Sequence, residues 1–224
     1  MHSTNDGRGR IADAVILDIG ETVLDRTREY AAWAAFFGVP AHTFSAVFGA
    51  MIARGAKVAQ VIESFAPGTP YANLLEARRS AELDVGIREE DLYPDVRPAL
   101  AELSSLGVVV GIAGNQPART SDRLRELELG AAFIASSTDW GVAKPSPEFF
   151  VRAASEADTT PERTVYVGDQ LRNDVLAPQA AGLLSVRIRR GPWGLIEQDE
   201  SAEAGCLAVV DSLLQLAEVV APSA

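Results

Sequence analysis

Four short stretches carry residues that could do chemistry together. Asp18 follows the apolar run Ala14-Val15-Ile16-Leu17 and leads into Ile19-Gly20-Glu21-Thr22-Val23-Leu24-Asp25. Gly114-Asn115-Gln116 follows a second apolar run, and Lys144 sits in Gly141-Val142-Ala143-Lys144-Pro145. Asp169 and Asp174 close the set in Gly168-Asp169-Gln170-Leu171-Arg172-Asn173-Asp174. A β-branched run that ends in a carboxylate and then a glycine reads as a buried strand. It delivers Asp18 to the carboxyl edge of a sheet, where open α/β folds bind ligands. In that place Asp18 reads as a nucleophile. Three carboxylates and a lysine at one sheet edge make a hard-cation site with a counter-charge. Magnesium takes oxygen ligands and keeps several waters, so two or three carboxylates suffice. Each piece alone has a plainer role: a helix cap for Asp18, a turn for Gly168-Asp169, a solvated loop charge for Lys144. Their order, spacing and strand context together favour the site.

The elements that must position these residues follow from periodicity. Apolar runs at 12–17, 108–113, 132–135, 164–167 and 184–188 predict five strands. Tyr30, Trp33, Ala34 and Phe37 recur at helical spacing, as do Phe44, Val47, Phe48 and Met51, and then Val58, Val61, Ile62 and Phe65. Breaks at Gly38-Val39-Pro40, near Gly55 and at Pro67-Gly68 separate three helices. A fourth over 71–83 completes what reads as a small antiparallel bundle with an aromatic core. Further helices are expected from Asp95, as N-cap, to Gly107, over 117–129, from the Ser146-Pro147-Glu148 start, and over 211–220. One strand, then a helical block, then alternating strands and helices predicts an α/β fold. It is a Rossmann-like, doubly wound parallel sheet with an inserted α-helical bundle cap. The core covers 11–25 and 93–224, and the cap 26–92.

Bulk composition narrows the class. The chain has 224 residues, 47% of them hydrophobic, and 20 basic against 31 acidic residues give a net charge of −11. That balance lacks the electrostatic footprint nucleic acid demands. The one cysteine, Cys206, permits no intrachain disulfide, and beside Leu207, Ala208 and Val209 it is expected to be a small buried hydrophobe. The two histidines, His2 in a polar start expected to be disordered and His42, argue against a histidine triad or zinc site. No apolar signal segment or run long enough to span a bilayer is visible, so a soluble, cytoplasmic monomer or homodimer without a membrane partner is expected.

The motifs quoted above, with Lys144-Pro145, Asn173-Asp174 and the lead-in Tyr93-Pro94-Asp95-Val96, resemble the haloacid dehalogenase (HAD) superfamily, in its helical-cap branch. The resemblance covers nearly the whole chain after residue 11. It implies a Mg²⁺-dependent phosphatase acting on a small phosphorylated or other anionic metabolite. Asp18 would form an aspartyl-phosphate and bind Mg²⁺. The Gly20 carbonyl and Asp169 would be further metal ligands. Asp174 would hold metal-bound water or orient Lys144. Lys144 would offset charge between nucleophile and phosphate, and Gly114, Asn115 and Gln116 would line the phosphate site.

Two positions depart from that pattern. Gly20 stands where family phosphatases usually carry a general-acid Asp, a function worth about 10²- to 10⁴-fold in rate. Gly114 replaces a phosphate-binding Ser or Thr. Glu21, one position on, is a candidate substitute acid, although an N-cap or surface role is the simpler expectation. Two alternatives stay open: a catalytically weak or inactive phosphate- and metal-binding regulatory module, and a metal-independent haloacid dehalogenase-type hydrolase. A cationic cluster at Arg187, Arg189 and Arg190 could attract an anionic substrate, although a solvated loop anchored by Trp193 is the simpler expectation, and the cap residues Arg54 and Lys57 could also face the cleft.

Overall fold

A computed structural model describes residues 9–221. Most of the polar start, including His2, lies outside the described residues. Six strands form one parallel sheet in the order β3-β2-β1-β4-β5-β6. They are β1 (Ala14–Leu17), β2 (Val109–Gly114), β3 (Phe133–Ser136), β4 (Thr164–Gly168), β5 (Leu184–Ile188) and β6 (Ala208–Val210). The chain winds one way from β1 to β3 and the other way from β4 to β6. The reversal lies between β1 and β4, the point at which ligands bind in open α/β sheets. Register fixes what meets there. Leu17 pairs with Ile112 on one side and Val167 on the other. Asp18 therefore emerges between the ends of β2 and β4.

Every residue of β1 is buried, as expected for a central strand covered on both faces. Val15 and Leu17 join a cluster with Leu100, Leu103, Leu124 and Leu216 on one face. Ala14 and Ile16 meet Phe149, Phe150, Ala153 and Tyr166 on the other. The period-2 alternation of strand side chains divides adjacent residues between these layers.

Four helices separate β1 from the rest of the sheet: α1 (Thr27–Phe36), α2 (Ala41–Ile52), α3 (Val58–Ser64) and α4 (Tyr71–Ser80). The covering helices follow as α5 (Val96–Ser105), α6 (Ala118–Glu126), α7 (Ser137–Trp140) and α8 (Pro147–Glu156). After a π-helical turn at Leu171–Leu176 come α9 (Ala177–Ala180), α10 (Gly191–Ile196), α11 (Glu200–Glu203) and α12 (Leu216–Val220). Among the described residues, no single helix is long and apolar enough to cross a membrane. The aromatic stripes of α1 and α2 are core, as expected: Trp33, Phe44 and Phe48 are buried with Val61, Ile62 and Leu74. Trp193 of α10 joins this cluster and meets Phe48 edge-on at 5.5 Å, tying the inserted helices to the sheet's covering layer.

The fold corrects several expectations. The inserted helices are not a simple antiparallel bundle, because α1 and α2 turn through 108°. Their break at Gly38, with φ +66, redirects the chain across the preceding helix. The tail is not one helix over 211–220. A sixth strand precedes it, and a 3-10 turn at Leu213–Gln215 leads into the short α12. Asp95 makes no cap bond to α5. Its carboxylate instead accepts from Arg190 at 3.0 Å, from the Ser212 hydroxyl at 2.8 Å and from the Leu213 N–H at 2.9 Å, joining the start of α5 to the chain's end. Cys206 is only partly buried, with its thiol raised by burial and 3.8 Å from the Ser185 hydroxyl.

Candidate active site

The strand ends bring Asp18, Lys144, Asp169 and Asp174 together. Asp18 is anchored where its backbone N–H donates to the Val167 carbonyl at 2.8 Å, continuing the β1–β4 ladder. Lys144 comes from the loop after α7. Its ammonium donates to Asp18 Oδ1 and to Asp174 Oδ1, both at 2.6 Å. All four side chains are at least nine-tenths buried. Asn115 holds the lysine loop in place. Its amide donates to the Lys144 carbonyl at 2.9 Å and accepts from the Lys144 N–H at 2.8 Å. The Asn115 side chain therefore positions Lys144.

Asp174 is fixed from two sides, since its Oδ2 accepts the Gln170 N–H at 2.9 Å. Gly168 is required for this arrangement. A Cβ there would lie 2.4 Å from Asp174 Cγ, closer than packed atoms approach. Gly114 has a similar reason. A Cβ at 114 would fall 2.5 Å from Asp18 Oδ1. The glycine thus leaves room for the Asp18 carboxylate to lie against Lys144. Tyr166 backs the pair, with the Lys144 ammonium 5.2 Å from its ring centre. Its hydroxyl donates to the Ala113 carbonyl at 2.7 Å and lies 3.5 Å from Asp18 Oδ1.

The electrostatics favour a cation at this site. Burial opposes a charge on Lys144, but Asp174 and Asp18 outweigh it and hold the ammonium well above its ordinary value. Asp169 is pushed well above the carboxylate range by burial and then by its neighbours Asp174 and Asp18. Burial also raises Asp174, against the pull of Lys144. Both Asp169 oxygens are buried without a hydrogen-bond partner. A buried anionic acceptor left unpaired costs roughly 1–3 kcal/mol or more. One oxygen from each of Asp18, Asp169 and Asp174 lies within 4.8 Å of the others. Two orphaned oxygens beside two more carboxylates and a single lysine make a donor set that fits a hard divalent cation. The bonds of the Asp18–Asp25 turn use the Ile19 and Leu24 carbonyls and leave that of Gly20 out.

The space beside Gly20 holds cationic and amide groups. A Cβ at Gly20 would meet Arg26 Cδ at 3.4 Å, Gln116 Nε2 at 3.5 Å and Arg26 Nη1 at 3.7 Å. Arg26 and Gln116 therefore stand where an aspartate side chain would extend. Motif reading alone passed over Arg26. Its signal is an arginine at the N-cap of α1, where the helix dipole disfavours positive charge. Glu21 is not at the surface, nor a cap. It is buried with φ +56, its Oε2 accepts the Tyr93 hydroxyl at 2.7 Å, and burial raises its carboxyl.

The expected cationic cluster after β5 is instead a clamp. Arg187 is fully buried, pairs with Glu203 and donates to the Trp193 and Glu197 carbonyls. Arg189 pairs with Glu203, and Arg190 pairs with Asp95 and lies over the Tyr93 ring at 4.3 Å. Arg54 and Lys57 are exposed.

The chain and its fold find counterparts in known proteins. The family model for haloacid dehalogenase-like hydrolases matches residues 12–182, and the chain belongs to that family of hydrolases. A glyceraldehyde 3-phosphate phosphatase of Methanopyrus kandleri is 36% identical over 104 residues, 45% of each chain. The chain thus spans about half the length of the first curated relatives it matches. An N-acetylmuramic acid 6-phosphate phosphatase of Pseudomonas putida is 28% identical over 220 residues, covering 92% of this chain and 95% of its own. A magnesium-bound HAD-hydrolase of Bacillus subtilis superposes with a TM-score of 0.70 at 18% identity, over 93% of this chain and 98% of that one.

Proposed function

We propose that the protein is a Mg²⁺-dependent phosphatase of a small phosphorylated metabolite, working through an aspartyl-phosphate on Asp18. The observation that carries this reading is the donor set. Asp169 has two buried oxygens without partners, beside Asp18 and Asp174. A dehalogenase that works without metal has no use for that arrangement. Phosphatase names among the relatives point the same way.

In this reading Asp18, Asp169, Asp174 and the Gly20 carbonyl would hold the ion, whose charge would offset that of the phosphate oxygens and carboxylates together. Asp18 attacks phosphorus from the end of β1. Lys144, fixed by Asp174 and by the Asn115 clamp on its backbone, reduces repulsion between the attacking carboxylate and the phosphate dianion. Gly114, Asn115 and Gln116 line the phosphate side, with Asn115 acting through Lys144. The groups beside Gly20 set how the ester oxygen leaves. A guanidinium stays protonated far above neutral pH and does not deliver a proton there. Arg26 and Gln116 therefore stabilise a departing oxyanion electrostatically, which favours esters whose alcohol is a good leaving group. Residues 26–92 form the cap, which excludes water and selects substrate, over a core of 11–25 and 93–224.

The test is hydrolysis of p-nitrophenyl phosphate and a panel of metabolite phosphates by the wild type, with Mg²⁺ and with EDTA. Mg²⁺-dependent turnover that vanishes in Asp18→Asn is expected. Mg²⁺ and vanadate binding without turnover would instead assign the chain as a phosphate-binding module. Halide release from a 2-haloacid in EDTA would assign it as a dehalogenase.

A further inference from the structure

Residues outside the catalytic set form a second cationic feature, at the junction of the inserted helices and the sheet. Arg26, Glu29 and Trp33 follow one face of α1, leading away from Gly20. Arg26 donates twice to Glu29 Oε2, at 2.8 and 2.6 Å. Further along, the Arg78 guanidinium lies over the Trp33 ring at 4.1 Å. Arg78 is on the buried face of α4 with Leu74 and is only 3% exposed. Its Nε and Nη1 are buried with no hydrogen-bond partner. Its remaining nitrogen approaches Asp84 no closer than 3.8 Å. Arg119, from the first turn of α6 and three residues after Gln116, reaches the other Asp84 oxygen at 3.5 Å. The charges of Arg26, Arg78 and Arg119 all act on Glu29. With Arg79 4.0 Å from Asp84, four guanidinium groups thus share two carboxylates, Glu29 and Asp84, in a chain whose net charge is −11.

A helix core has no use for a guanidinium with two idle donors. A leucine or methionine on Trp33 would pack there without leaving polar groups unpaired. An arginine is the residue that fits when planar anionic oxygens must be bound. The path from Gly20 through Arg26 to Arg78 runs along α1, about 10 Å for seven residues. We infer that Arg78, with Arg119 and Arg26, forms a subsite for a second anionic group of the substrate, carried several bonds from the phosphate held at Asp18. Its oxygens belong to a carboxylate or to a second phosphate. This inference rests on the phosphatase reading and adds the substrate class: doubly anionic phosphate esters.

The test compares three esters on the full chain with Mg²⁺: p-nitrophenyl phosphate, a phosphorylated hydroxy acid and a sugar bisphosphate. The wild type is expected to favour one of the two doubly anionic esters in kcat/KM, and the favoured one identifies carboxylate or phosphate. In Arg78→Met that preference over p-nitrophenyl phosphate is expected to fall at least tenfold, mainly through KM, with partial recovery in Arg78→Lys. The melting temperature of Arg78→Met should equal or exceed that of the wild type. Equal loss on all three esters, or a lowered melting temperature with the preference intact, would overturn the subsite and make Arg78 a packing residue. If no ester is hydrolysed, the phosphatase reading fails separately. Calorimetric binding of the free hydroxy acid to wild type and Arg78→Met then decides the subsite alone, and equal or absent binding refutes it.

Discussion

Replacing Asp169 by Asn should make the metal-free protein more stable. Asp169 is fully buried, and neither oxygen has a partner. Asp174 and Asp18 crowd it with like charge, after burial itself has raised its carboxyl. A raised folded value means the native state binds the proton more tightly than the unfolded chain. Below the unfolded value, about 3.9, both states are protonated and the carboxyl makes no demand on stability. As pH rises from there through the raised folded value, stability is lost progressively, and above it the loss is complete. Asn is close in shape to the protonated acid and never ionises. In EDTA, Asp169→Asn should therefore match the wild type near pH 4 and exceed it by about 2–4 kcal/mol at pH 8.5, counting two unpaired anionic oxygens. For a chain of this size that is roughly 5–12 °C in melting temperature. Magnesium should narrow that gap. An ion at 100 times its dissociation constant adds about 2.7 kcal/mol to the wild type and little to a variant without the ligand. Scanning calorimetry at the two pH values, with EDTA and with Mg²⁺, reads all four corners. A metal-free variant at pH 8.5 no more stable than wild type, together with an unchanged response to Mg²⁺, would refute the assignment of Asp169 as an unpaired metal ligand.

In Gly20→Asp the new Cβ meets Arg26 and Gln116 at ordinary contact distances. The new carboxylate should be captured by Arg26 and kept ionised, so p-nitrophenyl phosphatase activity is expected to rise less than tenfold. Gly20→Asp combined with Arg26→Ala should rise further, and no gain in the double variant would show that proton transfer does not limit the rate. Gly168→Ala places a methyl group 2.4 Å from Asp174 Cγ. It should weaken Mg²⁺ binding at least tenfold by calorimetry and cost about 1–3 kcal/mol in denaturant unfolding.

Local chemistry made much of this molecule legible from its residues. An apolar run ending in Asp18 is a strand end whatever surrounds it, because β-branched residues with no polar alternation must be buried on both faces. Glycines at 107 and 130 stop helices because a positive φ suits them, and both have it. The candidate set of Asp18, Lys144, Asp169 and Asp174 was readable because each member closes a strand or lies in a loop at the same sheet edge. β6 was not readable, since three residues carry too little pattern and are defined by pairing with β5. Nor was the fate of the arginines. Whether a guanidinium faces solvent, a carboxylate or an aromatic ring depends on partners distant in sequence.

The sequence alone determined the parallel sheet, the helical insertion, the family and the four residues that meet at the switch point, because strand burial and strand ends are local properties of the chain. Tertiary structure decided the rest. It paired Arg187 and Arg190 with Glu203 and Asp95, turned Glu21 inward to Tyr93, and brought Arg26 and Gln116 to the space beside Gly20. It also left Arg78 short of partners on Trp33. Those outcomes follow from the desolvation of charge. A buried ion must find a counter-ion, a dipole or a ligand, and which one is available is fixed only when distant segments pack.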